Sequence, residues 1–267
     1  GHNMSWFGKN GYTKHFEGGE DGVTRSFAGG LMYTCGLRSV GPANRDGAEW
    51  HPMHGRIHSR SARMTGAYIE GEGENAVIRV RGETTETAFF GESLALEREI
   101  RIPALGAEIV VADKLRNRAP REEEYMLLYH CNFGYPLLSR DARLILPAQR
   151  NTVPRDRRAE AGIGETTAFC DPMDEYDEQV FFHTDMTPEI RLENAKLGVA
   201  ASLSWSADTL PILVEWKSMA SGDYALGLEP SNTFIRGRHR EREEGGLPVL
   251  RPFGTCETLL RIAFSDM

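Results

Sequence analysis

Short apolar–polar alternations with a period of two recur along this chain, and they limit its fold more than any other feature. They occupy Ala76–Gly82, Leu94–Ile102, Glu108–Leu115, Gly198–Trp205, Pro211–Trp216, Tyr224–Glu229 and Thr258–Phe264. A period of two sends successive side chains to opposite faces of a strand, so each segment reads as one with two different faces. Turn residues separate them, as in Pro103–Ala107 and Asn117–Arg121. No long helical periodicity competes with this pattern and no fixed repeat is visible. Many short strands joined by turns call for an antiparallel sandwich or barrel. At 267 residues, the chain suffices for one large all-β domain. We therefore expect a single domain over 4–267. Gly1-His2-Asn3 reads as a cloning remnant before Met4, so His2 enters no site.

Two polar stretches interrupt the strand pattern. Asn151–Gln179 is charged and poor in aliphatic residues, and is expected to be a long loop or insertion, either a plain surface connection or a lid over a site. Glu241–Gly246 reads as a solvated turn. The basic run Arg236–Arg242 before it is a solvated strand end or a receiver for a phosphate, sulfonate or uronate group.

Charge and cysteine content narrow the function classes. Lys and Arg total 31 against 39 Asp and Glu, a net charge of -8, which disfavours a phosphate-backbone binder. The four cysteines, Cys35, Cys131, Cys170 and Cys256, are widely spaced with no CxxC, which fits free thiols in a reducing cytoplasm. No apolar run has the length of a membrane span. A cytoplasmic protein without nucleic-acid or membrane partners is expected, and its exposed sheet edges leave room for a homodimer.

Three segments carry polar chemistry at strand ends. The first, His130-Cys131-Asn132-Phe133-Gly134, follows the apolar run Tyr125–Leu128. The second is His54-Gly55-Arg56-Ile57, and the third is Leu228-Glu229-Pro230-Ser231-Asn232. Buried polar groups need partners or a task. Together the segments offer imidazoles, a carboxylate, a guanidinium and amides, a set suited to moving protons on a polyhydroxylated substrate. Structural roles are available to the same residues. Arg56 suits a buried salt bridge, Asn132 a turn cap, Glu215 a pair with Lys217 or an arginine, and Asn232 the turn after Glu229. His51, His54 and His58 cluster in sequence, but on an extended segment His51 points away from the other two, so no metal is expected.

From about Gly29 to its end, the chain resembles the galactose mutarotase-like superfamily, the aldose 1-epimerase group, and within it a bacterial branch of undefined function. His54-Gly55 is similar to that group's leucine-histidine-double-glycine motif, with Met53 and Arg56 as departures. His130 with Asn132 and Phe133 is similar to its histidine and aromatic-asparagine turn, and Leu228-Glu229 to its Leu-Glu pair. Pro252-Phe253-Gly254 stands where the group has Pro-Gly-Glu, with Glu257 displaced. The resemblance implies a large antiparallel β-sandwich, a supersandwich, with a site in a groove on its concave face. It implies Glu229 as general base, His130 as general acid and His54 as a hydrogen-bonding partner of the sugar. Arg56, Asn132, Glu215, Lys217 and Asn232 become substrate-binding candidates. The implied reaction interconverts anomers of a free aldose, neutral or acidic, by ring opening and without a cofactor. A sugar isomerase, a polysaccharide lyase using Tyr129 or Tyr135 as acid, and a carbohydrate-binding module remain alternatives on the same fold.

Overall fold

The computed structural model describes Ser5, Val23, Thr24, Phe27 and residues 29–267; the expected remnant at 1–3 lies outside these. Numbered in chain order, the strands form two main sheets. The six-stranded sheet runs β1 (Met32–Leu37), β9 (Met126–Phe133), β16 (Asp223–Ser231), β15 (Ile212–Ala220), β12 (Gln179–Thr184), β11 (Asn151–Pro154). The eight-stranded sheet runs β10 (Ala142–Ile145), β13 (Glu189–Asn194), β14 (Val199–Trp205), β18 (Thr255–Asp266), β7 (Glu108–Asn117), β6 (Ser93–Pro103), β5 (Val77–Thr87), β4 (Arg63–Glu70). Two small ribbons, β2 (Asn44–Asp46) with β3 (Glu49–His51) and β8 (Glu123–Glu124) with β17 (Val249–Leu250), complete the order. Every named strand pair is antiparallel. The expected all-β sandwich is the observed architecture, and each alternating segment is a strand.

Residue parity sorts the side chains of the six-stranded sheet. Leu127, Tyr129, Cys131 and Phe133 of β9, with Leu226 and Leu228 of β16, pack into the core between the sheets, against Leu94, Leu96, Val111 and Leu115. Met126 and Leu128 of β9, with Ile212 and Val214 of β15, form a smaller cluster on the outer face with Cys35 and Val40. Both faces of β9 are thus buried, which explains why its sequence runs apolar without alternation. Asn117 secures the turn foreseen at 117–121. Its Nδ2 donates to the carbonyls of Arg121 (2.7 Å) and Leu250 (3.2 Å), and its Oδ1 accepts from Ala119 N (2.8 Å).

Two expectations need correction. The stretch 151–179 is not a plain loop. It opens with β11, which pairs with β12, and continues into a short helix, α1 (Arg157–Ala161), capped by the Asp156 carboxylate on Ala159 N (3.0 Å). Polar side chains on an edge strand obscured the pattern, because only one of that strand's edges is paired. The run from Arg236 is not a strand end, for α2 spans Arg238–Glu243, and the exposed turn foreseen at 241–246 is confined to 244–246. Arg238 is 2% exposed, and its guanidinium donates to Arg38 O (2.8 Å), Glu124 Oε2 (2.9 Å) and Asp46 Oδ2 (3.1 Å). Glu241 is buried as well, and burial pushes its carboxyl up to about 7.

Candidate active site

The site stands on the outer face of the six-stranded sheet. The register between β9 and β16 sets Leu228 opposite Cys131 and Gly227 opposite Asn132, so Glu229 falls opposite His130. His130 Nε2 lies 3.0 Å from Glu229 Oε1, and both residues are buried. The contact lacks hydrogen-bond alignment: among the described residues, Glu229 Oε1 and His130 Nδ1 have no hydrogen-bond partner. Buried polar atoms left open at one spot are costly to folding and mark a place that awaits a partner. Gly227 makes room for them. A Cβ there would lie 2.3 Å from Glu229 Oε1 and 3.0 Å from His130 Cε1.

His54 reaches the pair from a constrained loop. Its backbone is left-handed (φ 57) and is followed by Gly55 (φ 75). The loop is fixed because His54 N donates to Gly41 O (2.9 Å) and His54 O accepts from Gly36 N (3.0 Å). Any Cβ on Gly55 would overlap Gly36 O at 2.2 Å, so the glycine after His54 is required by close backbone approach. The rings of His54 and His130 lie 6.1 Å apart, edge to face. Burial, with help from His130 and His58, holds His54 down to about 3, so its imidazole is neutral at physiological pH. Burial likewise draws His58 to about 4.

Aromatic rings close around this centre. Trp216, set opposite Gly227 by the strand register, lies 5.6 Å from the His130 ring, and Phe27 lies 5.2 Å from it. Tyr33, opposite His130 on β1, stacks on His58 at 5.0 Å. A cavity of about 690 Å³ opens over His54, His130, Glu229 and Trp216. Arg155, Arg236 and Arg240 stand in its wall. Arg155 donates to Glu178 Oε1 (2.8 Å), while Trp216 Nε1 donates to the other oxygen of the same carboxylate (2.6 Å). Arg236 stacks on Phe234 (4.4 Å) and pairs with Glu244, which also binds Arg240. A larger groove of about 850 Å³ crosses the eight-stranded sheet, but its arginines and glutamates, such as Arg79 and Glu99, already pair with one another.

The structure brings His54, His130 and Glu229 together at the cavity, and among the described residues none of the other candidates lines it. Glu215 and Lys217 project from the inner face of β15. Glu215 Oε2 pairs with His183 Nε2 (2.9 Å), and Lys217 donates to the carbonyls of Glu165 (2.8 Å) and Ala168 (2.6 Å). Arg56 binds Glu49 and Glu86 (3.3 Å each) and the Trp50 carbonyl, the salt-bridge role open to it from sequence. Asn132 donates to Gly30 O and His130 O (3.0 Å each) and so ties strand to loop. Asn232 accepts from Leu127 N (2.7 Å) and clamps the end of β16 to β9. Tyr129 faces the core and donates to Asp113 (2.6 Å), Tyr135 is 76% exposed, and neither lines the cavity over the pair. Sequence reading missed Trp216, Tyr33, Gly227 and Arg155. Trp216 had a signal, because alternation places it on the face opposite to Glu215. Among the described residues, no group of three or more His, Cys, Asp or Glu gathers to hold a metal ion.

The fold is that of the galactose mutarotase-like proteins. The structure is similar to a Klebsiella pneumoniae protein described as a candidate aldose 1-epimerase (TM-score 0.85, 24% identity over 92% of this chain). This chain spans 65% of that protein's length. It is also similar to a galactose mutarotase-like protein from Clostridium acetobutylicum (TM-score 0.64, 14% identity, 90% of this chain and 80% of that one). A third likeness is to a candidate mutarotase from Salmonella typhimurium (TM-score 0.62, 11% identity, 99% of this chain and 80% of that one). The sequence matches no curated protein. It does match, over residues 1–263, the model of a domain of unknown function, DUF4432, and the chain belongs to that family.

Proposed function

We propose that this protein is a carbohydrate epimerase that interconverts the anomers of a free sugar by acid–base proton transfer. The observation that carries the reading is the buried His130–Glu229 contact with unpartnered polar atoms beneath a cavity with room for a sugar. The anomeric hydroxyl and the ring oxygen are bonded to the same carbon, so two groups 3.0 Å apart can each serve one of them. Glu229 takes the proton from the anomeric hydroxyl. His130 gives a proton to the ring oxygen, the C–O bond opens, and the aldehyde rotates before the ring closes on its other face. Closure reverses the two roles. His54, neutral down to about pH 3, exchanges hydrogen bonds with a sugar hydroxyl and does not act as a charged acid. Trp216 offers a flat apolar wall to the sugar ring.

The arginines around the cavity favour an acidic sugar, because a carboxylate, sulfonate or phosphate can compete with Glu178 and Glu244 for them. Proton exchange at oxygen needs only side chains, so no cofactor is invoked. The activity is read as anomer exchange by NMR on matched neutral and acidic aldoses. Wild type is expected to accelerate exchange, and Glu229→Gln and His130→Asn each to lose about 10²–10⁴-fold. Unaltered exchange in both variants, or no exchange with any aldose, would sink the reading.

A further inference from the structure

The strand at the far edge of the eight-stranded sheet is the least covered of the named strands. β4 lies at the edge of the sheet order, and seven of its eight residues are exposed. Met64 is 69% and Ile69 68% exposed. Long open edges invite pairing with another chain. Here the edge shows what partner it suits.

β4 carries a bulge. It pairs with β5 as Arg63↔Glu83 and Met64↔Gly82, then passes over Thr65 and resumes as Gly66↔Arg81, Ala67↔Val80, Tyr68↔Arg79, Ile69↔Ile78 and Glu70↔Val77. Alternation along β5 therefore puts Met64, Ala67 and Ile69 on one face, and Arg63, Gly66, Tyr68 and Glu70 on the other. Without the extra residue, Arg63 and Glu70 would face opposite ways. With it, the strand has seven stations that read the same from either end about Ala67. Arg63 mirrors Glu70, Met64 mirrors Ile69 and Gly66 mirrors Tyr68.

We propose that β4 pairs antiparallel with β4 of a second copy of this chain, about a two-fold axis through Ala67. A two-fold axis normal to the sheet preserves its faces, which this register satisfies at every station. Each copy then sets Arg63 against Glu70 of the other, Met64 against Ile69, and the bare Gly66 under the Tyr68 ring. Alanine on the axis permits close approach. The apolar face continues across the junction through Ile78 and Val80, while main-chain hydrogen bonds join the two sheets into one.

The test is sedimentation across a concentration series for wild type, Arg63→Glu, Glu70→Arg and the double swap. Both positions are exposed (73% and 55%), so all four proteins are expected to fold, with circular dichroism as the check. Wild type is expected to dimerise. Each single swap puts like charges opposite each other twice per dimer and should weaken it by about tenfold. The double swap should return the dimer to within about threefold of wild type. Within one chain, Arg63 contacts Glu83 and Glu70 contacts Arg79, and the double swap restores neither contact. Rescue therefore reports the pairing between copies. A monomer at every concentration, a dimer indifferent to the single swaps, or single-swap losses without rescue would each overturn the proposal.

Discussion

Two histidine–glutamate pairs stand on opposite faces of one sheet at almost the same distance. On the inner face, His183 and Glu215 lie 2.9 Å apart, and Thr152 Oγ1 meets the other ring nitrogen at 2.9 Å. Both side chains are fully shut off from solvent. On the outer face, His130 and Glu229 lie 3.0 Å apart, with the second ring nitrogen open and a cavity above. Residue type and distance do not separate a structural pair from a candidate catalytic one. Each pair keeps one carboxylate oxygen without a hydrogen-bond partner among the described residues, Glu215 Oε1 and Glu229 Oε1. The partner of the second ring nitrogen, and access, separate them.

The comparison would break first on activity. Glu229→Gln should cost about 10²–10⁴-fold in anomer exchange while Glu215→Gln stays within about threefold per folded molecule. Equal losses in the two variants would erase the distinction. Stability should divide the pairs the other way. Removing His183 with His183→Ala leaves a buried carboxylate without its imidazole, at about 3–5 kcal/mol in urea unfolding. His130→Asn, beside a cavity, should cost about 1 kcal/mol.

Acid sharpens the contrast further. Burial holds His54 to about 3, and His58 and His51 to about 4, while unfolded imidazoles take their proton near 6.5. The unfolded chain therefore binds more protons between those values. Stability is complete above about pH 6.5 and falls as pH drops towards 4 and 3, by several kcal/mol in total. Urea midpoints at pH 7, 5.5 and 4 check this, and a flat profile would contradict it. His54→Gln should flatten part of the slope.

The smallest expected loss of exchange concerns Gly227. A methyl there presses on Glu229, His130 and the Trp216 Cβ (3.2 Å). Gly227→Ala should cost about 1–3 kcal/mol and lower exchange by about tenfold, since the carboxylate must turn away. Unchanged exchange would mean that the pair tolerates a shift in its geometry.

How far the sequence was legible follows from what each signal depends on. The central strands were readable because alternation is local, and Leu94–Ile102 and Tyr224–Glu229 fall inside β6 and β16. His54, His130 and Glu229 stand in motifs near strand ends, and the structure gathers them at one cavity. The face on which a residue lands was not readable, because it depends on register between strands far apart in the chain. Glu215 and Lys217 thus went to the core side. Arg238 illustrates the converse, a guanidinium in a charged run that is almost wholly buried because Asp46, Glu124 and a carbonyl converge on it. Nothing adjacent in sequence announces those partners. Thr152 and His183 likewise meet only when β11 pairs with β12.

One consequence concerns the order of assembly. His130 and Glu229 belong to strands adjacent in space but separated by roughly a hundred positions in the chain. Closing so long a loop is slow relative to forming the β5–β6 and β6–β7 hairpins, whose strands follow each other directly. During refolding, those hairpins can acquire their strand signal while the His130–Glu229 contact does not yet exist. Recovery of anomer exchange should therefore lag behind recovery of the far-ultraviolet signal, making the chemistry a clock for the pairing of β9 with β16.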